Sequence, residues 1–274
     1  MSQYPFNLAI NMIKTFFKNK YLVYRLIKRD IANKYIGSFL GIFWTSINPF
    51  LMLGLYTFVF SVVYQTRWGI NTSDSKASFS LVLFSGLIIH LFFTEVLNNS
   101  YCLVISNVNY VKKVVFPLEI LTLVCVGSAL FQFLISFLVL FFAIFILNGI
   151  PPSGIIFAPL TVLPLLPFTL GTSWFLSALG VYVRDIGQIL GLLTTVILFM
   201  SPVFYPSSYL PLFFRNLIKL NPITIPIEQF RNSLIFESSI NWFELFLYSI
   251  LSVIFAIIGL YFFQKTKKGF SDVI

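Results

Sequence analysis

Hydrophobic residues form long uncharged stretches along this chain, and the few charged residues mark where each stretch ends. A helix needs about 20 mostly apolar residues to cross the hydrocarbon core of a bilayer. Counting between the charges predicts membrane-spanning helices over residues 39–64, 79–106, 120–147, 155–183, 186–201 and 243–264. The pattern therefore predicts an all-α integral membrane protein with six transmembrane helices in residues 39–264.

The segment between the fifth and sixth predicted spans is apolar but interrupted by proline. Residues 202–241 hold five of the 13 prolines, and the pieces between them are too short to cross a bilayer. Irregular backbone is tolerated at membrane depth where protein covers it or where it lines a cavity. These residues are therefore predicted to form external re-entrant helices, which serve either as a gate or as an interfacial cap over the bundle.

Residues 1–38 carry an amphipathic pattern, in which polar residues recur every three or four positions on one face. These polar residues are Asn7, Asn11, Lys14 and Lys18. A helix of this kind lies at the membrane surface. The segment is predicted to be a cytoplasmic interface helix, which either anchors the first span or contacts a soluble partner. Residues 265–274 are predicted to be a cytoplasmic tail.

Composition excludes a soluble or disordered chain, because 58% of the 274 residues are hydrophobic and only 10% are charged. Soluble domains are about 25% charged. The net charge of +9 is unevenly distributed: 13 basic residues fall in segments predicted to be cytoplasmic and five in external ones. By the positive-inside rule, this places both termini in the cytoplasm. The basic excess is thus an orientation signal, and nucleic acid is not an expected partner.

Residues that carry chemistry are scarce. No glycine is followed by lysine, so the phosphate-binding loop of P-loop ATPases is missing from the sequence. Neither metal-ligand spacing nor a catalytic nucleophile motif occurs, and the chain is predicted to be neither an enzyme nor a cofactor-binding protein. Away from the ends of the spans, only His90 and Glu95 are ionisable apart from tyrosine and cysteine. Glu95 with Asn98 forms a polar patch, and a proton-relay role for it stays open.

Two short cytoplasmic loops offer contacts to a soluble partner. The first, residues 107–117, mixes polar, aromatic and aliphatic residues before a proline, and the second is a charged step at residues 183–186. The simpler alternative is that Lys112 and Lys113 fix topology and that Arg184 with Asp185 forms a solvated turn.

An aromatic stripe runs along the first predicted span, where Tyr56, Phe60 and Tyr64 fall at intervals of four. Residues at this spacing share one face of a helix. The stripe either forms a path on which sugar rings stack or is ordinary helix packing.

The order of these features resembles permease subunits of bacterial ABC exporters for polysaccharides, of the O-antigen and capsule type. The resemblance covers essentially the whole chain. It rests on Arg29-Asp30, KYIGSFLGIFW at 34–44, Asn48-Pro49, YTFVFS at 56–61, KKVVFP at 112–117, VRDI at 183–186 and SPVFYP at 201–206. The step Thr66-Arg67-Trp68 leans toward the O-antigen branch.

The resemblance implies a homodimeric transport subunit of the bacterial inner membrane, working with two copies of a separate ATPase that binds ATP and Mg²⁺. The implied substrate is an undecaprenyl-linked polysaccharide, moved outward. Capsule polysaccharide, teichoic acid or a small amphiphilic drug is the alternative cargo. An energy-independent scaffold or an ion-coupled carrier is the alternative from another class.

The same resemblance implies roles for individual residues, with the first and fifth spans lining a path between two copies. The expected ATPase-coupling residues are Asn109, Tyr110, Lys112, Lys113, Phe116, Arg184 and Asp185. The expected interface or gate residues are Arg25, Arg29, Asp30 and Tyr35. The expected translocation-path residues are Tyr56, Phe60, Tyr64, Glu95, Asn98 and Tyr205.

Overall fold

The computed structural model describes residues 5–59, 76–112, 116–149, 153–236 and 239–273, and within these ranges every regular element is helical. The α-helices are α1 (Pro5–Lys18), α2 (Lys20–Asn33), α3 (Trp44–Tyr56), α4 (Lys76–Ser100), α5 (Val108–Lys112), α6 (Glu119–Asn148), α7 (Ala158–Val162), α8 (Leu165–Tyr182), α9 (Ile186–Phe199), α10 (Leu212–Ile218), α11 (Thr224–Leu234), α12 (Trp242–Thr266) and α13 (Phe270–Val273). The all-α prediction therefore holds for the described residues.

Five helical segments of the described chain are long and apolar enough to cross a membrane. They are Gly41–Val59, Phe79–Ser100, Glu119–Leu147, Gly154–Tyr182 and Trp242–Val273. The fifth predicted span corresponds to α9, an apolar helix of 14 residues. At 1.5 Å per residue it is about 21 Å long, shorter than the hydrocarbon core of about 30 Å. A count of six spans stays a prediction.

Helix α4 occupies the centre of the bundle. Of its most apolar stretch, 89% is buried inside the protein, against 17–33% in the other candidate spans. It contacts α3, α6, α8, α9 and α11, and the side chains of Phe84, Phe92 and Phe93 are fully buried. Three of the other candidate spans pack on α4, whereas α12 packs on α8, and all of them turn much of their own surface outward.

Several predicted boundaries differ from the structure. The N-terminal interface helix is two helices, because the chain turns at Asn19; α1 packs on α12 and α2 packs on α6. The second span ends at Ser100 rather than Ser106, and turns lead from there into α5. The predicted tail begins within α12 and continues into α13, whose Phe270 is buried.

The proline-rich region forms the short helices α10 and α11. Eight of the 11 residues of α11 are buried, and this helix contacts α4, α7 and α12. Protein therefore covers α11, as backbone at membrane depth requires. The re-entry of this region into the membrane stays a prediction.

Candidate functional site: the cytoplasmic coupling region and the exposed polar face

Helix α2 is docked on the start of α6 through an apolar contact. Val23 and Leu26 of α2 pack with Ile120 and Val124 of α6 in a separate buried cluster. Gly127 allows this approach, because a Cβ atom there would lie 2.5 Å from Cδ1 of Ile27. The basic side chains of α2 are left exposed, among them Arg25, Lys28 and Arg29.

One predicted interface residue and two predicted coupling residues meet directly. The Nη1 atom of Arg29 donates a hydrogen bond of 3.0 Å to the hydroxyl of Tyr110. The Tyr110 ring stacks on Phe116, with centroids 4.5 Å apart and an angle of 18° between the planes. The fold therefore joins α2 to the first candidate coupling loop, although the sequence analysis had treated them as separate elements.

The end of α2 is also tied to three spans. Lys34 pairs with Glu95 of α4 at 2.5 Å. The Tyr35 hydroxyl donates to the Gln132 side chain of α6 at 3.5 Å, and the amide of Gln132 donates to the carbonyl of Thr45 in α3 at 3.0 Å. Burial lowers the pKa of Lys34, but the adjacent Glu95 carboxylate outweighs burial and raises the pKa above its usual value. Lys34 therefore stays charged throughout the physiological pH range.

We expect reversal of either charge of this pair to loosen the connection between α2 and α3. Lys34→Glu or Glu95→Lys should speed amide hydrogen exchange over residues 34–44 about fivefold, because a partly exposed pair contributes up to about 1 kcal/mol. The double variant, which swaps the charges, should exchange nearly as slowly as the parent. Exchange in the double variant as fast as in the single ones would contradict a direct pairing.

The remaining predicted interface residues make local contacts. Arg25 donates to the hydroxyl of Tyr21 at 2.5 Å and lies over its ring, with both residues on α2. Asp30 lies one turn before Lys34, and its charge also favours the protonated lysine. These residues do not meet the coupling loops within the described part of the chain.

The other candidate coupling residues are exposed at the ends of helices. Asn109 and Lys112 lie on the outer side of α5, and Arg184 with Asp185 forms the turn between α8 and α9. Lys113 lies outside the described residues. Exposure suits a contact with a soluble partner, and their roles stay predictions.

The predicted translocation path is described only in part. Tyr56 is half-buried against the main core, while Phe60 and Tyr64 lie outside the described residues, so the aromatic stripe stays a prediction. Glu95 and Asn98 share an outward strip of α4 with Leu91, which is 51% exposed. Helices α3 and α9 both contact α4 and are themselves largely exposed. Tyr205 lies apart from the strip, where its hydroxyl donates to the carbonyl of Phe199 at 2.8 Å.

Arg231 is the residue that the sequence analysis missed, because it was counted only as an external basic residue. It is 2% exposed in α11 and donates to the carbonyls of Val82, Pro202 and Val203, at 3.0 Å for Val82 and 2.9 Å for Val203. A further contact of 3.3 Å reaches Oγ of Ser85. The signal available was an arginine next to apolar Phe230 in a segment predicted to lie at membrane depth.

The match to known proteins agrees with this geometry. A family profile described as "ABC-2 type transporter" matches residues 21–235, which run from α2 through α11. The chain belongs to the ABC-2 type transporter family. The matched range includes both candidate coupling loops, the exposed strip of α4 and the Arg231 site.

This ABC-2 type transporter is similar to curated permeases. Two proteins named O-antigen export system permease protein RfbA from Klebsiella pneumoniae are 25% and 27% identical, over 91% of this chain and 93% of their own lengths. A protein of the same name from Myxococcus xanthus is 28% identical over 73% of this chain and 74% of its own length. The resemblance to permease subunits of polysaccharide ABC exporters is confirmed, and the chain is a multi-pass transport permease rather than an enzyme.

Proposed function

We propose that this ABC-2 type transporter is the transmembrane subunit of an ATP-driven exporter that moves a lipid-linked polysaccharide, the O-antigen, from the cytoplasm across the inner membrane. Support for the substrate comes from the names of the RfbA relatives. The observation that carries the mechanism is the pair of contacts made by α2. Arg29 binds the coupling loop at Tyr110, and Lys34 binds the exposed strip of α4 at Glu95.

These contacts define a route for mechanical work. A force applied to α5 reaches α2 through Tyr110 and Arg29, and α2 carries it to α4 through Lys34 and Glu95. Packed elements of this kind shift between discrete arrangements because a dense interior does not deform continuously. Helix α2 would thus act as the lever between ATP hydrolysis and the transport path.

A separate chain would supply the energy for transport. Families of this type in general work with an ABC ATPase. We propose two ATPase copies, which bind ATP and Mg²⁺ and press on the exposed residues of α5 and of the Arg184–Asp185 turn. The excess of 13 basic residues over five supports a cytoplasmic position for these elements and for both termini.

A second copy of the chain would complete the transport path. Glu95 and Asn98 face outward from α4, and the neighbouring helices α3 and α9 are themselves largely exposed. Polar side chains in a span are costly against lipid and generally face protein or water. A partner copy covering α3 and α9 would enclose this strip, and the undecaprenyl-linked glycan would pass between the two copies.

The coupling role is tested by charge reversal on the exposed loops. In a complex with its ATPase, Lys112→Glu and Arg184→Glu should each lower ATPase binding about fivefold, which corresponds to about 1 kcal/mol. Co-purification, ATP hydrolysis and surface O-antigen are measured for each variant. Arg215→Glu makes the same change of net charge on α10, at the predicted external side, and should behave like the parent. Parental binding and turnover in both loop variants would show that these loops are solvated turns.

A further inference from the structure

Tyr101 links the end of α4 to both sides of the Arg184–Asp185 turn. A Cβ atom on Gly180, near the end of α8, would overlap the carbonyl oxygen of Tyr101. A Cβ atom on Gly187, in the first turn of α9, would lie 2.8 Å from Cζ of the Tyr101 ring. The tyrosine is therefore held against the turn on two sides, in a space that exists only because both flanking residues are glycine.

Phe270 links the same turn to α5. Its side chain is fully buried, with its ring 5.5 Å from that of Phe263 and 6.2 Å from that of Tyr182. Its helix α13 packs on both α5 and α8. Tyr110 and Phe116 pack against the buried cluster that contains Phe270. Phe270 thus lies between the first coupling loop and the last turn of α8, which immediately precedes the second loop.

Polar contacts fix the surroundings of Phe270. The Tyr182 hydroxyl donates to the carbonyl of Thr266 at 3.1 Å. Lys267 pairs with Glu119 at 2.8 Å, and the indole of Trp174 donates to the carbonyl of Glu119 at 3.2 Å. The start of α6, the middle of α8 and the segment after α12 are thereby joined around one aromatic cluster.

We propose that α5 and the Arg184–Asp185 turn form one rigid docking unit, in which Tyr101 and Phe270 are the positioning residues. This inference rests on the proposed function, since the unit would receive the ATPase. A close-packed interior transmits displacement rather than absorbing it. Force on either loop then moves the ends of α4, α8 and α12 together. Both loops therefore transmit the same movement of the ATPase to the transport path.

Two spin labels measure the rigidity directly. Asn109→Cys and Arg184→Cys are exposed labelling sites on the two loops, introduced after Cys102→Ser and Cys125→Ala remove the native thiols. The doubly labelled chain is mixed with an excess of unlabelled chain, so that only one copy of the proposed dimer carries labels. We then expect a single narrow distance distribution by pulsed electron–electron double resonance. Its centre should be the same in the purified chain alone and in the ATPase complex with and without nucleotide.

Replacement of either aromatic anchor should uncouple the loops. Phe270→Ala and Tyr101→Ala should broaden the distribution, whereas Phe270→Leu keeps apolar volume and should narrow it again. Phe243→Ala is the control, because Phe243 lies at the start of α12, at the opposite end of the Trp242–Val273 segment from Phe270, and is 70% exposed. In the complex, Phe270→Ala should retain ATPase binding while transport per ATP hydrolysed falls about fivefold.

Phe270→Ala or Tyr101→Ala could fail to fold. In that case Gly187→Ala is a milder test, since the nearest atoms to its added methyl group belong to the Tyr101 ring. A parental distance that changes with nucleotide, or anchor variants with an unchanged narrow distribution, would overturn the rigid unit. Distances in the isolated chain need no ATPase. A chain that binds no ATPase but keeps the narrow distribution would therefore refute the proposed function and leave the rigid unit standing.

Discussion

Arg231→Met is expected to lower the free energy of unfolding by about 3 kcal/mol or more, because it removes the donors that several buried carbonyls accept from. The guanidinium joins α11 to α4 at Val82 and to the chain at Pro202 and Val203. Methionine keeps an unbranched apolar stem but is shorter and carries no donor, so these carbonyls lose that donor in an apolar surrounding. We expect unfolding in mixed micelles, followed by tryptophan fluorescence, to show the loss.

The planar guanidinium is needed here rather than positive charge alone. Arg231→Lys should recover only part of the stability, because an ammonium is a point donor and cannot reach carbonyls on both segments. Arg215→Met is the matched control, since Arg215 also donates to two carbonyls, those of Ser207 and Ser208, but lies on the half-exposed surface of α10. Its loss should cost less than about 1 kcal/mol. Equal losses for Arg231 and Arg215 would show that burial of Arg231 carries no special weight.

Gly259→Ala is expected to cost about 3 kcal/mol of unfolding free energy, since the added methyl group would meet backbone rather than a movable side chain. A Cβ atom at Gly259 would overlap the carbonyl oxygen of Gly171 and lie 2.8 Å from its carbonyl carbon. At Gly171, a Cβ atom would lie 2.8 Å from Cα of Ala256. Small residues at these positions allow α8 and α12 to approach backbone to backbone, as in other membrane helix pairs.

No loss of unfolding free energy is expected where alanine replaces a glycine that faces open space. Gly191 lies within α9, and among the described residues no atom outside its own helix lies within 4 Å of a Cβ atom built there. Gly191→Ala should therefore be neutral or stabilising by up to about 1 kcal/mol through helix propensity. The two variants are compared in the same micelle titration. A neutral Gly259→Ala would contradict a backbone-to-backbone contact between α8 and α12.

The predicted coupling and interface groups illustrate how far residue patterns reach. Their composition singled out α2 and the loop before Pro117, but the hydrogen bond between Arg29 and Tyr110 joins positions 81 residues apart. The charged residues of α2 can be recognised in the sequence. Which residue Arg29 contacts depends on where α5 lies in the fold. The positioning roles of Tyr101 and Phe270 could not be predicted from the sequence either, because nothing distinguishes these residues from other aromatic residues until their neighbours are known.

Hydropathy and charge spacing determined the class of this protein and the positions of its long helices, because transfer into lipid is a property of each residue and sums along a segment. This is why the predicted spans at 120–147 and 243–264 nearly coincide with α6 and α12. Tertiary structure alone decided that Arg231 is buried and that Gly171 touches Gly259. Close packing and hydrogen-bond satisfaction are properties of pairs, and the pairs exist only once helices distant in the chain have become neighbours.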